Sequence, residues 1–201
     1  MTKRMLVIGM TLLAAATIAS AQGGGRPASP AGSSATQLGK DGKWIEITYG
    51  RPIKRGRDLW GNGSTYAQLL LVNGAKVWRA GANVSTRLKT EVPLQIGGKT
   101  VAPGEYSLFI DTKSPTDWTL IVSSWAAQQK YDPNNKEALW GSFGYTPDKD
   151  VARVAMKIDK SPLAIDELSW NFADVTPTGG KLVLQWDTVV ASAPFSVVLN
   201  L

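Results

Sequence analysis

Two short blocks hold most of the residues able to do chemistry. In the first, Tyr49-Gly50-Arg51-Pro52-Ile53-Lys54-Arg55-Gly56-Arg57, four cations fall within seven residues, and Pro52 and Gly56 keep the stretch out of a helix. The planar arginine fork matches a carboxylate or phosphate, and glycine lets backbone approach a ligand closely. The implied chemistry is recognition of an anionic group: a phosphate, a uronic acid, a lipid head group or a peptide carboxylate. The competing reading is structural, because a buried arginine is usually a paired one, and some of these side chains would then tie loops to backbone carbonyls. The second block is Lys76-Val77-Trp78-Arg79-Ala80-Gly81-Ala82-Asn83-Val84-Ser85-Thr86. Here an aromatic ring and another arginine come to a strand end, small residues allow a tight turn, and Asn83, Ser85 and Thr86 supply neutral donors and acceptors. The ligand-binding candidates are Tyr49, Arg51, Lys54, Arg57, Trp78, Arg79, Asn83 and Thr86. No catalytic residue, metal ligand or cofactor site is assigned.

Composition narrows the remaining chemistry. The chain has no Cys and no His, which removes disulfides, thiol nucleophiles, Ser-His and Cys-His catalysis, and zinc sites built on sulfur or imidazole. No SxxK or GxSxG motif is present. Glu46, Glu105 and Asp111 are conceivable acids for a hydrolase, although sequence spacing does not report the separations a carboxylate pair needs. Asp148 and Asp150 would need further oxygen ligands to make a calcium site, and no EF-hand-like loop supplies them. Eight Trp stand against five Tyr and four Phe, and each buried indole N–H needs an acceptor. Core packing accounts for most of them. Trp118, Trp125 and Trp140 also flank a long segment carrying Gln128, Gln129, Tyr131 and Asn134, a grouping suited to stacking on a sugar ring.

The elements that must position these blocks are strands. Residues 43–49, KWIEITY, alternate Ile45, Ile47 and Tyr49 with Trp44, Glu46 and Thr48, the period of a half-buried strand. Comparable runs occupy 68–72, 75–79, 85–91, 93–96, 106–111, 118–123, 151–158, 164–172, 181–186 and 195–199. Asn73-Gly74 and Gly97-Gly98 read as two-residue hairpin turns between them. No stretch of the mature chain sustains a helical period. The pattern predicts an all-β fold: a single antiparallel β-sandwich or jelly-roll-like domain over 38–201.

Upstream, Lys3 and Arg4 precede an apolar run and the small-x-small sequence Ala19-Ser20-Ala21, so 1–21 reads as a signal peptide cleaved after Ala21. Residues 22–37, rich in Gly, Ser, Pro and Ala, read as a flexible leader. Cleavage leaves no transmembrane segment and places the product in the periplasm or outside the cell. It also lowers the formal charge from +6 to +4 by removing Lys3 and Arg4. That charge is too diffuse to point to nucleic acid.

The blocks YGRPxxKRGR and VWRAGANxST, followed by VAPGEYSLF at 101–109, Trp118, Trp140-Gly141, DVARVAMK at 150–157 and LQWDT at 184–188, resemble a family of uncharacterised exported bacterial β-rich proteins, a domain of unknown function. The resemblance spans about residues 26 to 198. It implies an exported β-rich domain and brings no established activity. Two departures stand out: the family pattern has a His after Ser-Pro, where this chain has Ala31, and an acid after GAN, where it has Val84. Three function classes follow. The first is a non-enzymatic binding module for a small polar or anionic ligand such as a glycan. The second is a structural or partner-binding envelope component, and the third a carboxylate- or metal-dependent hydrolase.

Overall fold

The computed structural model describes residues 28–38 and 42–198. The expected signal peptide and positions 22–27 of the expected leader lie outside them. Among the described residues, helix is limited to three single 3-10 turns, and the eleven strands are β1 (Ala31–Leu38), β2 (Lys43–Gly50), β3 (Thr86–Thr90), β4 (Leu94–Ile96), β5 (Lys99–Val101), β6 (Gly104–Ser114), β7 (Asp117–Ser123), β8 (Ala126–Ala127), β9 (Ala138–Leu139), β10 (Asp150–Thr176) and β11 (Gly179–Val197). Nine of them form one antiparallel sheet in the order β1-β2-β3-β6-β7-β10-β11-β4-β5, and β8 and β9 make a small parallel pair.

The sheet becomes sandwich-like because its longest strand serves both layers. Residues 150–156 of β10 pair with β7, and from Lys157 onward β10 pairs with β11 through several register shifts. Such irregularities bend a strand and increase its twist, which carries the second layer over the first. Two seams hold the layers together. The chain beyond β2 meets the far part of β10, where Leu168 N–H donates to Pro52 O at 3.0 Å and Lys54 N–H to Asp166 O at 2.7 Å. At the other end, the Gly97-Gly98 hairpin lies so close to β10 that a Cβ on Gly97 would collide with the Arg153 carbonyl. The φ of +56° at Gly97 also favours glycine there.

Between the layers is a core of Leu, Ile and Val with five Trp: Trp78, Trp118, Trp170 and Trp186 are buried, and Trp60 packs against them half-buried. Trp78 stacks on Trp186 with centroids 6.1 Å apart, while Trp60 and Trp118 meet at 5.3 Å. Most of these indoles find an acceptor. Trp118 Nε1 donates to the Tyr66 hydroxyl at 2.7 Å, Trp170 Nε1 to Ala80 O at 2.9 Å and Trp186 Nε1 to Asp166 O at 3.1 Å. Trp60 Nε1 is buried without a partner.

Two expectations need correction. The composition of residues 31–37 reads as a flexible leader, yet they belong to β1, which pairs with β2 from Ala31↔Gly50 to Leu38↔Lys43. Composition underrates such a segment: its Ser, Thr and Gly bury little apolar area, but the ladder satisfies the backbone. Residues 68–72 and 75–79 were read as a hairpin about Asn73-Gly74. Instead they form a run of tight turns, with Gln68 N–H donating to Thr65 O and Leu71 N–H to Gln68 O, and Trp78 makes only an isolated bridge to Ile110. The apolar run QLLLV does not alternate. Leu70 in it, and Ala67 just before it, are buried from a loop that caps the core.

The indole partners predict a difference between two conservative variants. Trp118→Phe should cost about 2 kcal/mol, because it removes ring volume and leaves the Tyr66 hydroxyl without its donor. Trp60→Phe should cost less than half of that, since it also removes an unpaired buried N–H. Urea-denaturation midpoints of the two variants would check this.

Candidate functional site

The cations of the first block divide after Lys54. A Cβ on Gly50 would run into the Ala82 carbonyl, so glycine at the end of β2 lets the 80–83 turn lie directly on that strand. Arg51 follows and forms an ion pair with Glu167 on β10, and Lys54 Nζ binds Asp187 Oδ1 at 2.5 Å on β11. These two cations bolt the seam. Tyr49 is buried, its hydroxyl directed at Trp170 O at 3.4 Å. Arg57 lies further along the loop, where Nε and Nη2 donate to Lys54 O and Ile53 O at 2.9 and 2.7 Å.

The second block makes the turn that carries the remaining candidates. Ala80 has φ of +53° and Asn83 +63°, a conformation that costs a non-glycine residue about 1–2 kcal/mol. Two buried donors fix the Ala80 carbonyl and offset this cost: Trp170 Nε1 and Thr86 Oγ1, the latter at 3.1 Å. Thr86 is fully buried on β3 and is therefore a support for the turn. Arg79 packs over Gly141 and donates from Nη1 to Asn83 O at 2.8 Å, and Asn83 Nδ2 reaches Ser29 O at 3.3 Å.

Arg57, Trp78, Arg79 and Asn83 converge on one cavity of about 230 Å³, with Trp186 and Leu70 among its other walls. Among the described residues neither Arg57 nor Arg79 forms an ion pair. Burial pushes the Arg79 guanidinium below the usual arginine range, although such a group still carries its proton. Arg79 is thus a cation held partly out of water without a counter-charge among the described residues. The cavity lining includes no Asp or Glu, so a carboxylate-pair hydrolase has no place in it. Tyr49, Arg51, Lys54 and Thr86 lie away from it, in the framework.

Three of the five acids considered for hydrolysis or calcium are already engaged. Glu105 pairs with Arg87 at 2.8 Å, and Asp111 with Arg153 at 3.3 Å. Asp150 accepts from both the Tyr145 hydroxyl and Arg153 Nη1 at 2.7 Å. Among the described residues no group of three or more acidic side chains is placed to hold a metal. Leu69 and Val72, exposed at the cavity mouth, and Trp186 at its wall were not anticipated. Trp186 lies in the LQWDT block and could have been nominated from it.

The model of a family described as "Protein of unknown function (DUF2911)" matches residues 29–195. The chain belongs to that family. No curated protein and no solved structure matches it. In this DUF2911 domain both cavity-lining blocks lie inside the matched region. Ala31 and Val84 line a single open groove with Glu46, Thr48, Tyr49 and Arg87.

Two predictions separate framework from cavity. Lys54→Met strands the mostly buried Asp187 carboxylate and should cost about 2 kcal/mol, whereas Arg79→Met, which strands no acid, should stay within about 1 kcal/mol of the parent. Thermal or urea unfolding of both variants reads the contrast. The second concerns pH. Burial, reinforced by the hydrogen bond given to Asp150, holds the Tyr145 hydroxyl well above the usual tyrosine range. The unfolded chain ionises this group near pH 10 while the folded chain keeps the proton, so its contribution is intact below pH 10 and is lost as pH rises beyond it. Tyr145→Phe should flatten the fall in unfolding free energy measured from about pH 9 to about pH 11.

Proposed function

We propose that this is an exported, non-enzymatic binding domain that takes a small anionic ligand, such as a uronic acid or sugar phosphate of glycan origin, in the cavity of Arg57, Trp78, Arg79 and Asn83. The observation that carries this reading is Arg79: desolvated, without an acid partner among the described residues, and lining a concave site. A carboxylate or phosphate entering there gains a charge-assisted hydrogen bond in a partly dry setting, where it is worth more than in water. Arg57 lies at the same cavity with its guanidinium anchored on two carbonyls, so little side-chain entropy is lost on binding. Leu69 and Val72 offer apolar surface to the ligand's body and Asn83 a neutral amide, while the buried Trp78 and Trp186 close the cavity behind them. Removal of 1–21 as a signal peptide would deliver the domain to the periplasm or the exterior.

The alternative, a partner-binding envelope component, draws support from Leu69 and Val72, which are 46% and 47% exposed at the cavity mouth. In that case the apolar rim would be the contact and the cavity would take a partner side chain.

Titration calorimetry and thermal shift with glucuronate, galacturonate, glucose 1-phosphate and inorganic phosphate test the first reading. At least one anion should raise the melting temperature, bind more weakly as salt increases, and lose about tenfold or more in affinity in Arg79→Gln. Absence of binding by every anion, or equal binding by Arg79→Gln and Arg57→Gln, would refute it.

A further inference from the structure

The long segment between β7 and β10 builds a second concave site, separate from the Arg79 cavity. Its base is the parallel pair β8–β9, closed by Gln128 N–H donating to Leu139 O at 2.8 Å. The buried Gln128 side chain then organises the loop from within. Its amide nitrogen lies within hydrogen-bond distance of the carbonyls of Asp132, Asn135 and Ala138, at 3.1, 3.1 and 2.9 Å, and its oxygen accepts from Asp132 N–H at 2.7 Å. Asp132 Oδ1 and Asn135 Oδ1 cap further backbone N–H groups. A segment cross-linked this densely through its own polar groups is pre-organised, the condition under which a loop binds without a large entropic cost.

This rigid loop leaves aromatic rings in water. Tyr131 is 51% and Phe143 57% exposed, and with Trp140 they line a cavity of about 150 Å³. A cavity of this volume is on the scale of one six-membered ring. The lining holds one cation, Lys136, and one carboxylate, Asp132, so their charges balance. Lys136 Nζ is already seated on Pro133 O at 2.5 Å. The lining as a whole therefore carries no net charge, in contrast to the Arg79 cavity, which is lined by two arginines and no acid. Tyr131, Asn135 and Asp132 bring hydroxyl, amide and carboxylate groups to the same walls. Exposed aromatic rings beside hydrogen-bonding groups of no net charge match a pyranose, whose C–H faces stack and whose hydroxyls bond outward.

We propose that the cleft lined by Tyr131, Asp132, Asn135, Trp140 and Phe143 is a second ligand site, for a neutral pyranose ring. Saturation-transfer NMR and calorimetry on the mature chain with methyl glucoside, methyl xyloside, N-acetylglucosamine and cellobiose test it. At least one should bind. Phe143→Ala and Tyr131→Ala should each weaken it about 5- to 10-fold, Phe143→Trp should restore binding, and Arg79→Gln should leave it unchanged. Both truncated side chains are largely exposed, so the fold should survive, as checked by far-UV circular dichroism. The proposal is overturned if none of the four sugars binds, if both alanine variants bind as the parent does, or if Arg79→Gln abolishes binding, which would place the sugar in the other cavity. It is also overturned if the chain self-associates and Phe143→Ala abolishes that association, making the aromatic face a contact between copies.

Discussion

The fold depends on one seam. A nine-stranded sheet has two edges, and an open sheet of this size must curl, split or leave those edges to aggregate. Here the chain just past β2 meets β10 at residues 166–168 through backbone hydrogen bonds, and the Arg51–Glu167 and Lys54–Asp187 pairs clamp the join. The seam sets the separation of the layers and so the space that the Trp core fills. It also fixes the starting point of the 53–60 loop, whose Arg57 would otherwise have no defined position relative to Arg79. Closure, core and cavity are three consequences of the same contact.

Charge within the basic block is used in two ways. Arg51 and Lys54 are neutralised by acids from the long β10–β11 hairpin, which makes them internal ties across a large gap in sequence. Arg57 and Arg79 are held by carbonyls instead, so their positions are fixed while their charge remains uncompensated. A carbonyl orients a guanidinium without cancelling it, whereas a carboxylate does both. That distinction separates a scaffold cation from one able to recognise a ligand.

Period-2 alternation made β2, β3, β6 and β7 legible, and Gly97-Gly98 marked the β4–β5 hairpin, because each of these features is local. The all-β class followed from the same signal. β1 was hidden, since Ser, Thr and Gly declare a strand only when a neighbour supplies the ladder, and the turns over 63–74 were hidden because apolar residues bury equally well from a capping loop. The basic and VWRAGAN blocks were visible as chemistry, and four of the eight nominated residues line the cavity. Which four was not legible, because the acids that claim Arg51 and Lys54 lie more than 100 residues away. The groove shared by Ala31 and Val84 was equally invisible: two residues far apart in sequence are neighbours only after β1 docks on β2.

The near-parallel stack of Trp78 on Trp186 has an optical consequence. Two indoles 6.1 Å apart and tilted by only 18°, with two more rings edge-on beside them, form a coupled set of chromophores rather than four independent ones. Excitation absorbed by any ring migrates among them, and the asymmetric arrangement gives the core its own near-ultraviolet circular dichroism. Trp78 and Trp186 are also cavity walls, so a change at that cavity would register in the spectrum of the core.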